Sequence, residues 1–289
     1  MSNLQQRGII AIPKFSVWTA RRKDKIVTAD VAQRNKAEAR RAGNYTKYLV
    51  NPEDPIFKAP GDIVGEARRY HYVHTFPWTF EGAAILSTGF YEEYGEKFTR
   101  SKYVFDEAVG LLIENIPFLK AQAKADLGSL WREADFPSQF EIENKFSFSV
   151  KFYPVPTEGD FRANLDDDDI KVIKSQLREE LRSAEKDVVA EKWVRLSALL
   201  KNVVTILSVP NAKPQSIKDS LIRNIQEAVV TLPKLALDDD PKFDAAIEEV
   251  TKQIASVHPQ ALRDDNVLRD EVARKAAAIA KKMAAYAAA

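Results

Sequence analysis

Hydrophobic and polar positions alternate most clearly over residues 145–153, KFSFSVKFY. Phe146, Phe148, Val150 and Phe152 interleave with Ser147, Ser149, Lys151 and Tyr153. A period of two with one apolar face predicts a strand of a sheet that lies on a core on one side only. A second strand is expected at 9–19, IIAIPKFSVWT. There Ile10 and Ile12, then Phe15 and Val17, form period-two pairs on either side of Pro13. The period changes elsewhere. Val104, Phe105, Ala108, Leu111, Leu112 and Ile116 recur at three- and four-residue spacing and predict a helix over 101–127, with Pro117 kinking or restarting it. Thr28-Ala-Asp opens a short helical pattern that ends at Gly43-Asn44, and residues 49–62, with three prolines, read as an irregular connection.

Beyond PTEGDFRAN, residues 157–165, the pattern is helical almost throughout. From Asp166 to Leu207 there is no Gly and no Pro. Leu177, Leu181, Ala184 and Val188 form one stripe, and Trp193, Leu196, Leu200, Val203 and Leu207 another, with a five-residue gap between them. The spacing predicts a long bundle or coiled-coil helix with one discontinuity. Further helices are expected at 215–231, 242–257 and 264–286. The fold class expected is α+β: a small antiparallel sheet with helices in residues 1–156, then a helical bundle with long antiparallel helices in residues 166–289. An apolar stripe of this kind must be covered, so a homo-oligomer is an expected partner wherever the chain leaves it exposed.

Composition narrows the chemistry. The 289 residues are 45% hydrophobic and 29% charged, as in globular proteins. With no Cys, disulfides and thiolate metal sites are excluded, which fits a reducing compartment. The N-terminus MSNLQQRGIIAIPKF lacks the apolar core of a secretory signal, and no stretch is long and apolar enough to suggest a membrane span, so a cytoplasmic location without membrane contact is expected. The formal net charge of +1 hides an asymmetry. Residues 1–72 hold 14 Lys or Arg against 7 Asp or Glu, and the remainder 29 against 35.

Candidate chemistry is sparse. LDDDDI (165–170) and DDDP (238–241) invite a cation, but neither has the alternation, central Gly and distal Glu of an EF-hand loop, and aspartates before a helix cap it. His71 and His74 in HYVH lack a third ligand of suitable type. No GxSxG, P-loop or GxGxxG motif is present. No constellation of residues argues for an enzyme, and no cofactor or metal is expected. What remains is a basic and aromatic N-terminal region. Trp18, Arg21, Arg22, Lys23 and Lys25 lie at a strand exit, Arg40 and Arg41 at the end of the short helix, and Arg68, Arg69, Tyr70 and Tyr72 in the aromatic segment 68–80. Cations beside rings suit a single-stranded nucleic acid, because phosphates bind the former and unpaired bases stack on the latter. An acidic protein partner is the other reading of the same charge.

The strings SVWTARRK and EADFPSQFEIENKFSFSVKFYPVP, followed by a helical tail, resemble an uncharacterised family of phage and prophage proteins, a domain of unknown function. The resemblance covers most of the chain and carries no site residues. It implies a phage accessory role in the cytoplasm of an infected bacterial host, with an AAA-type ATPase among conceivable partners. The function expected is a non-enzymatic, oligomeric protein contacting nucleic acid, single-stranded rather than duplex. The alternative is an adaptor or host-directed inhibitor that acts through the helical bundle.

Overall fold

The computed structural model describes residues 3–78, 82–157, 166–209 and 216–287. Along the chain, α1 (Asn3–Arg7) leads into β1 (Gly8–Ser16), β2 (Arg21–Lys23), α2 (Lys25–Arg34), β3 (Thr46–Tyr48) and α3 (Pro55–Val73). Then come β4 (Phe76–Pro77), β5 (Ala84–Ser87), α4 (Tyr91–Leu127), α5 (Gln139–Glu143) and β6 (Ser147–Pro154). The rest is helical: α6 (Asp167–Leu207), α7 (Ser220–Leu235), α8 (Pro241–Val250), α9 (Pro259–Asp264) and α10 (Asn266–Ala287). The fold is α+β, with a small sheet of order β4-β5-β1-β6 and a separate ribbon of β2 and β3.

Two compact units are present. One comprises residues 1–12, 72–94 and 152–289, the other residues 13–71 and 95–151. They do not follow the single boundary expected near 154–165. Residues 1–12 and 72–94 group with the helical region, and β1, α3, α4 and β6 each change unit within their length. From Glu158 on, the expected linker lies outside the described residues, as do the turn prolines Pro210 and Pro214 and the last two residues of the aromatic segment 68–80.

In the first unit, β1 pairs antiparallel with β5 from Gly8↔Ser87 to Ala11↔Ala84. Gly8 is required at the α1–β1 junction, since a Cβ there would stand 2.6 Å from the Leu4 carbonyl oxygen. α6 runs unbroken for 41 residues, so the gap in its apolar pattern is not a break in the helix. Val188, Lys192, Leu196 and Leu200 continue one stripe at a spacing of four, and all four are buried. Lys192 occupies the apparent gap because its ammonium is paired. Nζ donates to both oxygens of Asp238 at 2.6 and 2.7 Å and lies 3.3 Å from Asp240. The stripe from Trp193 to Leu207 packs on Ile217, Leu221, Ile225 and α10 residues of the same chain. It needs no second copy to cover it.

The aspartate runs act as caps and ion-pair partners. Asp166 accepts from the Asp168 and Asp169 amides at the start of α6. Asp240 accepts from the Lys242 and Phe243 amides, with Pro241 in the first turn of α8. Asp239 takes a bidentate bond from Arg7 at 2.7 and 2.9 Å.

In the second unit, α2 differs from the expected 28–44 helix. It starts at Lys25, capped by Asp24, and stops at Arg34. Residues 49–62 are not all irregular. Asp54 caps a helix opening at Pro55, which continues through a buried Pro60. α4 begins at Tyr91 rather than near 101 and does not restart at Pro117. Its residues Leu112, Ile113, Ile116 and Leu119 form the core with Trp18, Leu49, Val50, Phe136 and Ile142. In β6, Phe148 is buried between exposed Ser147 and Ser149, the alternation expected. Among the described residues no helix is long and apolar enough to cross a membrane.

Candidate nucleic-acid interface

The basic segment folds as a two-stranded ribbon held by an ionic chain. After β1 the backbone turns through Ala20, whose φ is 51°. The Ala20 carbonyl accepts from the Leu49 amide at 2.7 Å, which aligns β2 with β3. The antiparallel register sets Arg21 against Tyr48, Arg22 against Lys47 and Lys23 against Thr46. Side chains alternate across a strand, so Arg22 and Lys47 share one face, and Arg21 and Lys23 the other.

Lys47 faces inward, with its side chain 1% exposed. Its ammonium donates to Asp24 Oδ2 at 3.0 Å and to the Leu130 carbonyl oxygen at 2.6 Å, and Asp135 Oδ2 lies 2.7 Å away as an ion-pair partner. Asp24 is as deeply buried and is saturated in turn. Its Oδ1 accepts from the Ile26 and Val27 amides at 3.1 Å each and from Arg132 Nη1 at 3.0 Å. Burial alone would raise the Asp24 pKa. The Val27 amide and the Lys47 and Arg132 cations outweigh it, and the carboxyl is held down to about 2. Asp135 is also held below its ordinary value, chiefly by the bond from Lys47 and further by Arg22. Arg22 Nε donates to Asp135 Oδ1 at 3.3 Å. The run Arg132–Asp24–Lys47–Asp135–Arg22 thus links the interior to the surface with alternating charge.

The other cations are not absorbed. Arg21, Lys23 and Lys25 are exposed and form no ion pair among the described residues. The Arg21 guanidinium lies 5.2 Å over the Tyr48 ring, a cation–π contact. Arg40 and Arg41 are exposed too, but in the turn beyond α2 rather than on a helix. Arg34 is paired with Asp30 at 2.9 Å.

Several expected residues are placed differently. Trp18 is not a stacking platform. It is 7% exposed and packs edge-on against Phe57 and Phe136 at 5.9 and 5.8 Å. Arg22 points with Lys47 toward Asp135, so Arg21 to Lys25 do not project as one cluster. Arg68, Arg69 and Tyr70 sit on α3 and not on the ribbon. Arg68 lies 5.6 Å over Phe15, Arg69 is exposed, and Tyr70 is half-buried beside Phe98 and Lys97. Tyr72 is exposed but belongs to the first unit. There it lines a groove of about 570 Å³ with Val73, Arg195, Leu199, Glu227 and Leu232. The Arg195 fork in that groove is occupied by the Val73 and Thr75 carbonyls at 3.0 and 2.7 Å. Burial pushes the His71 pKa down to about 4, so its imidazole is neutral near pH 7, and His74 stacks on Phe90 at 5.0 Å.

Residues not singled out from the sequence join the surface. Tyr45 and Tyr48, 38% and 41% exposed, are the aromatic rings on the ribbon side, and Lys145 lies beside Arg21 and Arg22 in one cleft. Tyr45 precedes β3 and Tyr48 ends it, and the pairing of β3 with β2 has no strong local signal in three-residue strands. No family model, curated protein or solved structure matches the chain.

Proposed function

We propose that the protein is a non-enzymatic binder of single-stranded nucleic acid, with the β2–β3 ribbon as its contact surface. The observation that carries this reading is the division of charge on the ribbon. Acids neutralise the inward cations, while Arg21 and Lys23 on the ribbon and Lys25 at the start of α2 stay exposed without acidic partners among the described residues, and Tyr48 stands beside Arg21. Exposed like charges on a short, anchored ribbon repel one another, and a polyanion relieves that repulsion. The exposed tyrosines supply faces on which unpaired bases stack. The resemblance to phage and prophage proteins supports an accessory role in an infected bacterial host.

Fluorescence anisotropy with a labelled single-stranded oligonucleotide at about 50 mM salt tests the reading. The Arg21→Ala/Lys23→Ala/Lys25→Ala variant keeps its thermal stability, because exposed substitutions stay within about 0.5 kcal/mol each. Its affinity falls by about tenfold or more. Equal affinity in wild type and variant removes the ribbon as the contact surface.

A further inference from the structure

The ribbon borders a cleft of about 310 Å³, within the same compact unit, whose walls include Trp18, Arg21, Arg22, Asp135, Pro137 and Lys145. That volume stands at the small end of ligand sites, which span about 300–1,000 Å³. Its ionisable lining is three cations against one carboxylate. The carboxylate is held in ion pairs, with Oδ2 2.7 Å from Lys47 Nζ and Oδ1 accepting from Arg22 Nε. The ionisable lining therefore carries a net charge of +2, three cations less one carboxylate, with Glu141 near Lys145 outside it.

Arg22 is prepared for an anion. Asp135 holds its guanidinium through Nε, Lys47 holds Asp135, and Lys47 is fixed by Asp24 and the Leu130 carbonyl. Among the described residues the Nη groups of Arg22 make no hydrogen bond, and the side chain is 54% exposed. An Arg fork anchored at one edge and open at the other loses little freedom when it closes on a phosphate, which its geometry fits.

We propose that this cleft binds a phosphate monoester: the terminal phosphate of a nucleic-acid strand, or that of a free mononucleotide. The inference deepens the nucleic-acid reading and rests on it. Charge decides between phosphate types. A monoester carries about −1.5 to −2 at pH 7 and matches the cleft, whereas an internal phosphodiester, with a single negative charge, leaves one cation uncompensated. The cleft then seats a strand end, while the exposed ribbon cations track the phosphates that follow.

The test compares internally labelled single strands bearing a 5′-phosphate, a 3′-phosphate or hydroxyls at both ends. A nucleoside monophosphate and its nucleoside serve as unlabelled competitors, and calorimetry measures the direct binding of each. A terminal phosphate is expected to tighten binding about tenfold. The nucleoside monophosphate competes and the nucleoside does not. Lys145→Ala and Arg22→Gln each bring the phosphorylated strand down to the affinity of the unphosphorylated one, with thermal melts confirming that both variants fold. Strand binding with no preference for an end phosphate and no competition overturns the cleft site and leaves the ribbon reading standing. Binding of the monophosphate without any strand binding keeps the cleft, as a mononucleotide site, and overturns the ribbon reading. Binding of neither overturns both.

Discussion

Lys47→Met is expected to cost about 3–5 kcal/mol of folding stability, because it removes one partner from a buried pair and leaves the other charged. Asp24 and Lys47 have side chains 0% and 1% exposed. Without the ammonium, the Leu130 carbonyl loses its donor, Asp135 loses its closest cation and Asp24 keeps only Arg132 and its helix amides. Urea denaturation of wild type and variant measures the difference. The double variant Asp24→Asn/Lys47→Met should recover part of it, since the uncompensated buried charge is then gone. A cost below about 1 kcal/mol would mean that water reaches the pair and that the chain does not anchor the ribbon. The same network fixes an acid response. The Asp24 pKa lies near 2 in the folded protein against an ordinary 3.8. A depressed carboxyl stabilises the fold above its unfolded pKa, so this contribution is complete above about pH 4 and is lost as pH falls through about 2.

Trp18→Ala is expected to cost about 3–5 kcal/mol, the price of a large cavity in an aromatic core. Trp18 meets Phe57 and Phe136 edge-on and packs with Leu49, Leu112 and Ile116. Removing it therefore lowers the melting temperature, and oligonucleotide binding is lost only to the extent that the second unit unfolds. A variant that melts like wild type yet no longer binds would put the indole on the contact surface and contradict its place in the core.

These two residues show how far the sequence could be read. Trp18 stands next to Arg21 and Arg22 in the chain, and local reading grouped ring and cations as one surface. Its fate is decided by Phe136, over a hundred residues away. Lys47 drew no attention as a single cation in a polar stretch, and its burial depends on Leu130 and Asp135, which no periodicity reveals. Lys192 broke an apolar stripe for the same reason, since its partner Asp238 follows α7, 46 residues further along the chain. Elements with a strong period of their own were legible: the alternation at 147–153, the long helix from Asp167, and the cap at Asp240. Helix ends were less so, because Asp24 starts α2 before the Thr28-Ala-Asp signal, and α3, which Asp54 caps, runs through residues expected as an irregular connection and an aromatic segment. The exposed cations Arg21, Lys23 and Lys25 were legible in the local run RRKDK. Tyr45, Tyr48 and Lys145, which complete the candidate surface, required the ribbon register and the cleft.

The most direct measurement is the salt dependence of single-strand binding, as log Kobs against log salt concentration, for wild type and the Arg21→Ala/Lys23→Ala/Lys25→Ala variant. Each phosphate contact on a single strand contributes a slope of about −0.7. If Arg21, Lys23 and Lys25 each neutralise one phosphate, the wild-type slope is about −2 or steeper, and the variant is flatter by up to about 2. A wild-type slope near zero, or an equal slope in the variant, would contradict the account and place the partner of this surface outside the nucleic acids.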